Sequence, residues 1–179
     1  MALERVVNSV LGYDSEQVDA LLDRVRRQYE SPKSRVVTPA MLASAQFQLV
    51  PGGYRIDQTD EALARVALDF ESRELSARLE RIGQRRFRAE TRNLLGSIVK
   101  LLSQEPKQRF SPARGGYHSK KVHELMKKLT IADGLLSAPE PLEIKTQPLG
   151  RKNGGPSRVE VNEFLGIVVS VLQRQQLVR

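Results

Sequence analysis

Four stretches of the chain align with one another without a gap, and this internal repeat limits its possible folds more than any other feature. Each stretch places a glycine directly before a tyrosine or a proline, then a short polar run, then an apolar-polar-polar-apolar-apolar pattern. That spacing puts the apolar side chains on one face of a helix that is just beginning. Copies one to four are LGYDSEQVDALL from Leu11, GGYRIDQTDEAL from Gly52, GGYHSKKVHELM from Gly115 and GGPSRVEVNEFL from Gly154.

The repeat predicts an all-α fold in which turn-plus-helix units form a helical repeat bundle. The repeat pattern does not decide whether the helices pair as in a coiled coil. The stretch 57–104 is long enough for one coiled-coil helix, but Gly83 and a change of apolar register favour two helices, the second from about Gln84 to Leu102. We expect helices over about 2–9, 15–29, 39–46, 57–104, 119–131 and from 158 to near the C-terminus.

The same pattern divides the chain into segments. Residues 138–157 hold four of the nine prolines and three glycines, which predicts a linker. The expected segments are repeat 1 (1–35), repeat 2 with the long helical stretch (36–106), the basic repeat 3 (107–137), the linker (138–157) and the repeat 4 helix (158–179).

Composition excludes several classes of protein. The chain has no cysteine, so it has neither a disulfide framework nor a thiolate metal site, and we expect a cytosolic protein. The N-terminal MALERVVNSV lacks a basic region before a long apolar run, and no stretch of about 18 apolar residues occurs, so we expect neither a signal peptide nor a membrane span. The net charge of +8 allows two partners, nucleic acid or an anionic membrane surface.

Catalytic motifs are missing from the sequence. His118 and His123 are five residues apart across a helix start, which does not bring them together as zinc ligands. No phosphate-binding glycine loop, nucleophile elbow or cluster of catalytic carboxylates occurs. We therefore expect a non-enzymatic protein with no cofactor and no metal.

A basic segment surrounds one phenylalanine. Residues 107–128 hold seven Lys and Arg against one acid, and Phe110 lies between Arg109 and Arg114. An exposed phenylalanine among arginines suits a bilayer surface, because burying the ring is worth about 1.5–3 kcal/mol and each cation near anionic lipid about 1 kcal/mol. The alternative is a core phenylalanine beside solvated charges. Phe47, seven residues before its tyrosine like Phe110, has neutral neighbours that favour burial.

An acidic face is expected on the first long helix. Asp19 and Asp23 are four residues apart, so they share a helix face, and Tyr13 lies near its N-terminal end. Such a face can accept an arginine of a partner peptide. The alternative is an ordinary solvated face whose charges are balanced by Arg24 and Arg27.

Together these residues resemble a known family. A phenylalanine, six residues of which the last is glycine, a tyrosine, four residues and then apolar-Asp-x-apolar-Leu-Asp resembles the N-terminal domain of the bacterial DivIVA and GpsB proteins. Copy one, GYDSEQVDALLDRV, is similar to that signature, and the short Thr38-Pro39 helix before Phe47 is similar to the family's first helix.

The resemblance implies a cytoplasmic scaffold of cell division or cell-wall growth, peripheral at the inner face of the cell membrane at septum or pole. It implies contact with anionic membrane through a loop phenylalanine with its arginine, and binding of short arginine-containing tails of division or cell-wall synthesis proteins. The membrane role falls to Phe110 with Arg109, and then Phe47; the peptide role falls to Tyr13, Asp19 and Asp23, matched in copy two by Tyr54 and Asp60.

Copies two to four depart from the signature. His123 and Asn162 replace the first aspartate, Ala64, Lys127 and Gly166 the second, and Pro156 the tyrosine.

The number of copies in one chain also differs from the family. Family members pair two chains along a parallel coiled coil, whereas here four copies share one chain, which suggests that copies pair within it; a homo-oligomer is left open. The main alternative function is a basic helical nucleic-acid-binding protein, which the charge permits and no motif supports.

Overall fold

The computed structural model describes residues 3–31 and 36–178 and contains both helices and strands. Its strands form four two-stranded antiparallel sheets, β1–β2, β3–β8, β4–β7 and β5–β6. The elements are β1 Leu11–Tyr13, α1 Ser15–Glu30, α2 Pro39–Ala43, β2 Leu49–Pro51, α3 Ile56–Leu102, β3 Pro112–Ala113, β4 Gly116–Tyr117, α4 Ser119–Lys127, β5 Thr130–Ala132, β6 Leu135–Ser137, α5 Pro141–Thr146, β7 Arg151–Lys152, β8 Gly155–Pro156 and α6 Arg158–Leu177.

The prediction of an all-α fold is wrong. Helices dominate the described residues, but the repeat segments that lead into them are short strands in copies one, three and four, and in copy two Tyr54 makes isolated bridges. Each of these strands has two or three residues and pairs with a segment distant in sequence. Such strands are too short to show an alternating apolar pattern, and their partners cannot be read locally.

Three local predictions are also corrected. The described part of 2–9 is not helical; it runs beside copy two, where Val6 N donates to Gly53 O at 2.9 Å. Helix α4 ends at Lys127, and Asp133 and Gly134, both with positive φ, turn the chain between β5 and β6. The expected linker 138–157 contains α5, β7 and β8. The sequence predicts that Ser31, Pro32 and Ser34 end α1; Pro32 and Ser34 lie outside the described residues.

The chain forms two compact units, Met1–Glu71 (the first unit) and Ser72–Arg179 (the second unit). In the first unit, α1, α2 and the start of α3 enclose a core of Val25, Val37, Leu42, Leu63, Ala67 and Phe70. In the second unit, α6 is the most buried helix, and its apolar residues join others from α3 and α4. The fully buried side chains of that unit include Phe87, Ile98, Leu125, Val161, Val168, Val169 and Val171.

Helix α3 is interrupted at Gly83, the position at which the sequence predicts a break. Gly83 has φ 75° and ψ 160°, which is not helical. Within the second unit, Arg78 Nε donates to Glu90 Oε2 at 2.8 Å. Twelve residues of straight helix span about 18 Å, farther than these two side chains reach, so the segments on either side of Gly83 turn towards each other. Arg174 of α6 joins the pair, with Nη1 3.3 Å from Glu90 Oε2.

Gly83→Ala is expected to destabilise the second unit by about 1–3 kcal/mol, because only glycine adopts this backbone conformation without strain. An added Cβ meets nothing within 4 Å, so the effect comes from the backbone alone. Chemical denaturation followed by circular dichroism measures it. Gly96→Ala, in the regular part of the same helix, is the control and should stabilise by about 0.5–1 kcal/mol. Equal effects of the two substitutions would contradict the prediction.

Candidate functional site

In the first unit, the glycine-tyrosine segments of copies one and two cross each other. Tyr13 N donates to Tyr54 O at 2.9 Å, and Tyr54 N donates to Tyr13 O at 2.7 Å. A Cβ on Gly12 or Gly53 would lie within 3.0 Å of the other segment's backbone, so both positions require glycine. The expectation that copies pair within the chain is confirmed, and the pairing is reciprocal.

The crossing exchanges the tyrosines between copies. The Tyr54 hydroxyl donates to the Asp19 carboxylate, with oxygen–oxygen distances of 3.2 and 3.3 Å. The Tyr13 side chain interacts electrostatically with the Asp60 carboxyl group. Each tyrosine therefore meets the first aspartate of the other copy, and we call these the two Tyr–Asp pairs. Both aspartates are exposed and both tyrosines are half-buried.

Partial desolvation of an otherwise exposed side chain, together with like charge, perturbs one of these carboxyl groups. Desolvation raises the pKa of Asp60 above its ordinary value, the interaction with Tyr13 opposes this shift, and the negative charge of Asp57 raises the pKa further. Desolvation, followed by the charge of Asp60, also raises the pKa of the Tyr13 hydroxyl. A cation beside Asp60 favours its ionised form. This side of the site is therefore suited to a positively charged group.

A guanidinium group already lies against one tyrosine ring of the site. Arg5 Cζ is 5.5 Å from the centroid of the Tyr54 ring, and its Nη2 donates to Ser15 Oγ at 3.0 Å. Cation–π contacts of this kind contribute about 0.5–1 kcal/mol at exposed positions. Arg5 is a site residue that the sequence does not predict, because its segment has the pattern of a separate short helix.

Asp23 is not part of this cluster. Its carboxylate pairs with Arg26 on the same helix at 3.0 Å, and both side chains are largely exposed. Asp23 therefore lies on an ordinary solvated helix face, which was the alternative interpretation of the acidic pair. Of the predicted peptide-binding residues, the structure brings together Tyr13, Tyr54, Asp19 and Asp60.

The second unit repeats half of this arrangement with copies three and four. The Tyr117 hydroxyl donates to Asn162 Oδ1 at 2.9 Å, and Arg158 Cζ lies 5.6 Å from the Tyr117 ring centroid. Asn162 stands where copy two has Asp60. The other half is absent because His123 and Pro156 replace the aspartate and the tyrosine.

Phe110 lies in the core of the second unit. It is 8% exposed, and its ring packs edge-on against Phe164 with centroids 5.9 Å apart. The expectation of an exposed ring is wrong, and the alternative, a core phenylalanine beside solvated charges, describes its position. The cause is the pairing of β3 with β8, which directly precedes α6, since this pairing carries Phe110 towards that helix.

The other residues predicted for membrane contact lie in different surroundings. Arg109 caps the end of α3, donating from Nη2 to Leu102 O at 2.6 Å and from Nε to Gln104 O at 3.0 Å. Arg114 is exposed. Phe47 is half-buried, packs on the core of the first unit and lies with its ring centroid 5.1 Å from that of Tyr13.

Comparisons with protein families, with curated proteins and with solved structures find no match to the chain. None of the helices in the described residues is long and apolar enough to cross a membrane. Within residues 3–31 and 36–178, no three His, Asp or Glu side chains are grouped so that they could hold a metal ion.

Proposed function

We propose that the chain is a non-enzymatic scaffold or adaptor of the DivIVA/GpsB type, whose first unit binds short arginine-containing segments of partner proteins. The observation that carries this proposal is the reciprocal pair of Tyr–Asp contacts, which places two carboxylates and two phenol rings on one crossing of the chain. The cellular setting that goes with it is division or cell-wall growth, through the resemblance of copy one to that family.

The chemistry of the first unit supports an arginine ligand. A guanidinium can pair with a carboxylate through two parallel hydrogen bonds and stack on an aromatic ring at the same time. Asp19 and Asp60 are exposed carboxylates, and Arg5 on Tyr54 is an example of the stacked arrangement within the chain. The first unit holds 8 Lys and Arg against 11 Asp and Glu, a net charge of −3 that favours a cationic partner.

The peripheral membrane location is a further part of the proposal, and it rests on charge. The second unit holds 21 Lys and Arg against 10 Asp and Glu, a net charge of +11. Each such cation near anionic lipid contributes about 1 kcal/mol. Because the Phe110 ring is buried, attachment would be electrostatic, through exposed cations such as Arg114 and Lys127. Binding to phosphatidylglycerol vesicles that is lost at high salt tests this part.

The peptide proposal is tested by fluorescence anisotropy with a labelled peptide of about ten residues that contains two arginines. The double variant Asp19→Asn with Asp60→Asn should weaken binding at least about tenfold, since each carboxylate pair contributes about 1.5–3 kcal/mol. The matched control is Asp23→Asn, because Asp23 already pairs with Arg26 outside the cluster. Binding that is equal in the double variant and the wild type would reject the proposal. Binding to duplex DNA that falls steeply with salt would instead support a nucleic-acid-binding protein.

The affinity for this arginine peptide is expected to fall as the pH is lowered from 7 towards 4. Desolvation raises the pKa of Asp60, and a bound guanidinium would lower it. When the pH of the solution is near the raised pKa, binding therefore releases a proton from Asp60. Binding that releases a proton becomes weaker as the pH falls. One such proton changes the affinity by at most about tenfold per pH unit. Anisotropy titrations across this range measure the slope. Asp60→Asn should reduce the slope, and an unchanged slope in that variant would contradict the assignment to Asp60.

A further inference from the structure

The second unit contains a cavity of about 590 Å³ at the base of the loop before β3. Its size lies within the range of pockets that bind ligands, about 300–1,000 Å³. Loop residues, the first turns of α4 and the segment around β8 line it. Among its lining residues are Lys107, Phe110, Lys120, His123, Met126 and Pro156.

The cavity lies where a Tyr–Asp pair is missing. In the first unit, Tyr54 of copy two contacts Asp19 of copy one. The corresponding residues of the second unit are Pro156 of copy four and His123 of copy three, and both line the cavity. The other pair is retained there as Tyr117 with Asn162. Replacement of one tyrosine by proline therefore leaves the space that a phenol ring fills in the first unit.

The charge around this space is the reverse of that in the first unit. Three cations, Lys107, Arg109 and Lys120, line the cavity, and no described Asp or Glu does. The Arg109 guanidinium is directed to the carbonyl groups at the end of α3, whereas the Lys120 ammonium lies 4.0 Å from the Glu124 carboxylate, at the limit of an ion pair. The two lysines are therefore the groups that can meet an anion. Phe110 and Met126 supply apolar walls.

We propose that this cavity binds a short acidic segment of a partner protein, with an aromatic side chain in the space beside Pro156 and carboxylates at Lys107 and Lys120. The aromatic group replaces the tyrosine that the other three copies carry, and the carboxylates match the cationic rim. The site is separate from the Tyr–Asp pairs and selects the opposite charge. The chain then joins a basic segment on one unit to an acidic segment on the other.

The test is a selection of random twelve-residue peptides displayed on phage against the full-length chain. We expect enriched peptides to carry Phe, Tyr or Trp within two residues of Asp or Glu. An enriched peptide is then synthesised and its affinity measured by anisotropy. Pro156→Tyr should fill the cavity and weaken binding at least about tenfold, and the double variant Lys107→Glu with Lys120→Glu should weaken it at least as much, since two charge-assisted hydrogen bonds are lost.

Matched controls separate this site from other effects. Arg92→Glu makes the same charge change at an exposed position outside the cavity and should alter the affinity less than about threefold. Asp19→Asn with Asp60→Asn should leave acidic-peptide binding intact, so failure of the first-unit proposal and failure of this one are distinguishable. If Pro156→Tyr loses its native circular dichroism, the two-lysine variant decides alone.

Three outcomes would overturn the inference. They are a selection that enriches no acidic peptide, an acidic peptide that binds the Pro156→Tyr and two-lysine variants like the wild type, and cavity-dependent binding of phosphatidylglycerol vesicles in place of any peptide.

Discussion

Gly116→Ala is expected to destabilise the second unit strongly. A Cβ at this position would lie within 3.0 Å of the backbone of Gly155 and Pro156, which belong to the segment that crosses it. Backbone atoms cannot rotate out of the way as a flexible side chain can, so the crossing itself must separate. That separation breaks the pairing of β4 with β7 and of β3 with β8, and we expect a loss of about 3 kcal/mol or more.

Gly166→Ala is the matched control for this prediction. Gly166 lies in α6 of the same unit, is exposed, and an added Cβ meets nothing within 4 Å. Alanine there should stabilise by about 0.5–1 kcal/mol, because glycine is a poor helix former. Urea denaturation followed by circular dichroism measures both variants. A Gly116→Ala protein as stable as the wild type would show that the two segments do not cross as closely as described.

The helix starts could be predicted from the sequence because their causes are local. The Asp14 side chain accepts from Gln17 N at 3.0 Å at the start of α1, as its capping-box pattern indicates. Thr38 caps α2, whose first residue is Pro39, and Ser157 caps α6. Each signal lies within four residues of the structure it fixes, so no knowledge of distant partners is needed.

The strands could not be predicted in the same way. Tyr13 and Tyr54 are extended because they hydrogen-bond to each other across 41 residues, and Pro112 pairs with Pro156 across 44. The burial of Phe110 follows from that second pairing, so its charged sequence neighbours were a poor guide to its exposure. Asp133-Gly134 is different, since Asp-Gly between apolar residues is a local hairpin signal that the helix pattern of copy three obscured.

The candidate site likewise has one part that local sequence predicts and one part that depends on distant contacts. Spacing alone placed Tyr13 and Asp19 on one copy, but Asp19 accepts a hydrogen bond from Tyr54 of the other copy, and Tyr13 interacts with that copy's Asp60. Only the crossing of the two copies shows that a tyrosine and an aspartate from different repeats form one contact. The opposite net charges of the two units were likewise hidden in the total of +8, because the unit boundary falls within α3.

Phe110→Ala is expected to destabilise the second unit by about 3–5 kcal/mol, the usual range for removing a buried phenylalanine ring. Part of this loss is the edge-on contact with Phe164, since such aromatic pairs contribute about 0.5–1.5 kcal/mol beyond burial. Phe110→Leu keeps most of the apolar volume and should cost less. Thermal and urea denaturation measure the three proteins side by side.

The same variant distinguishes a core residue from a membrane-inserting one. A ring that served only to enter a bilayer would leave unfolding unchanged on removal and abolish binding to phosphatidylglycerol vesicles. A core ring has the opposite pattern. Its removal lowers stability, and any vesicle binding made through exposed cations, as proposed above, persists in the still folded Phe110→Leu protein. Val159→Ala is the control, since Val159 is 65% exposed on α6 and its truncation should change stability by less than about 0.5 kcal/mol.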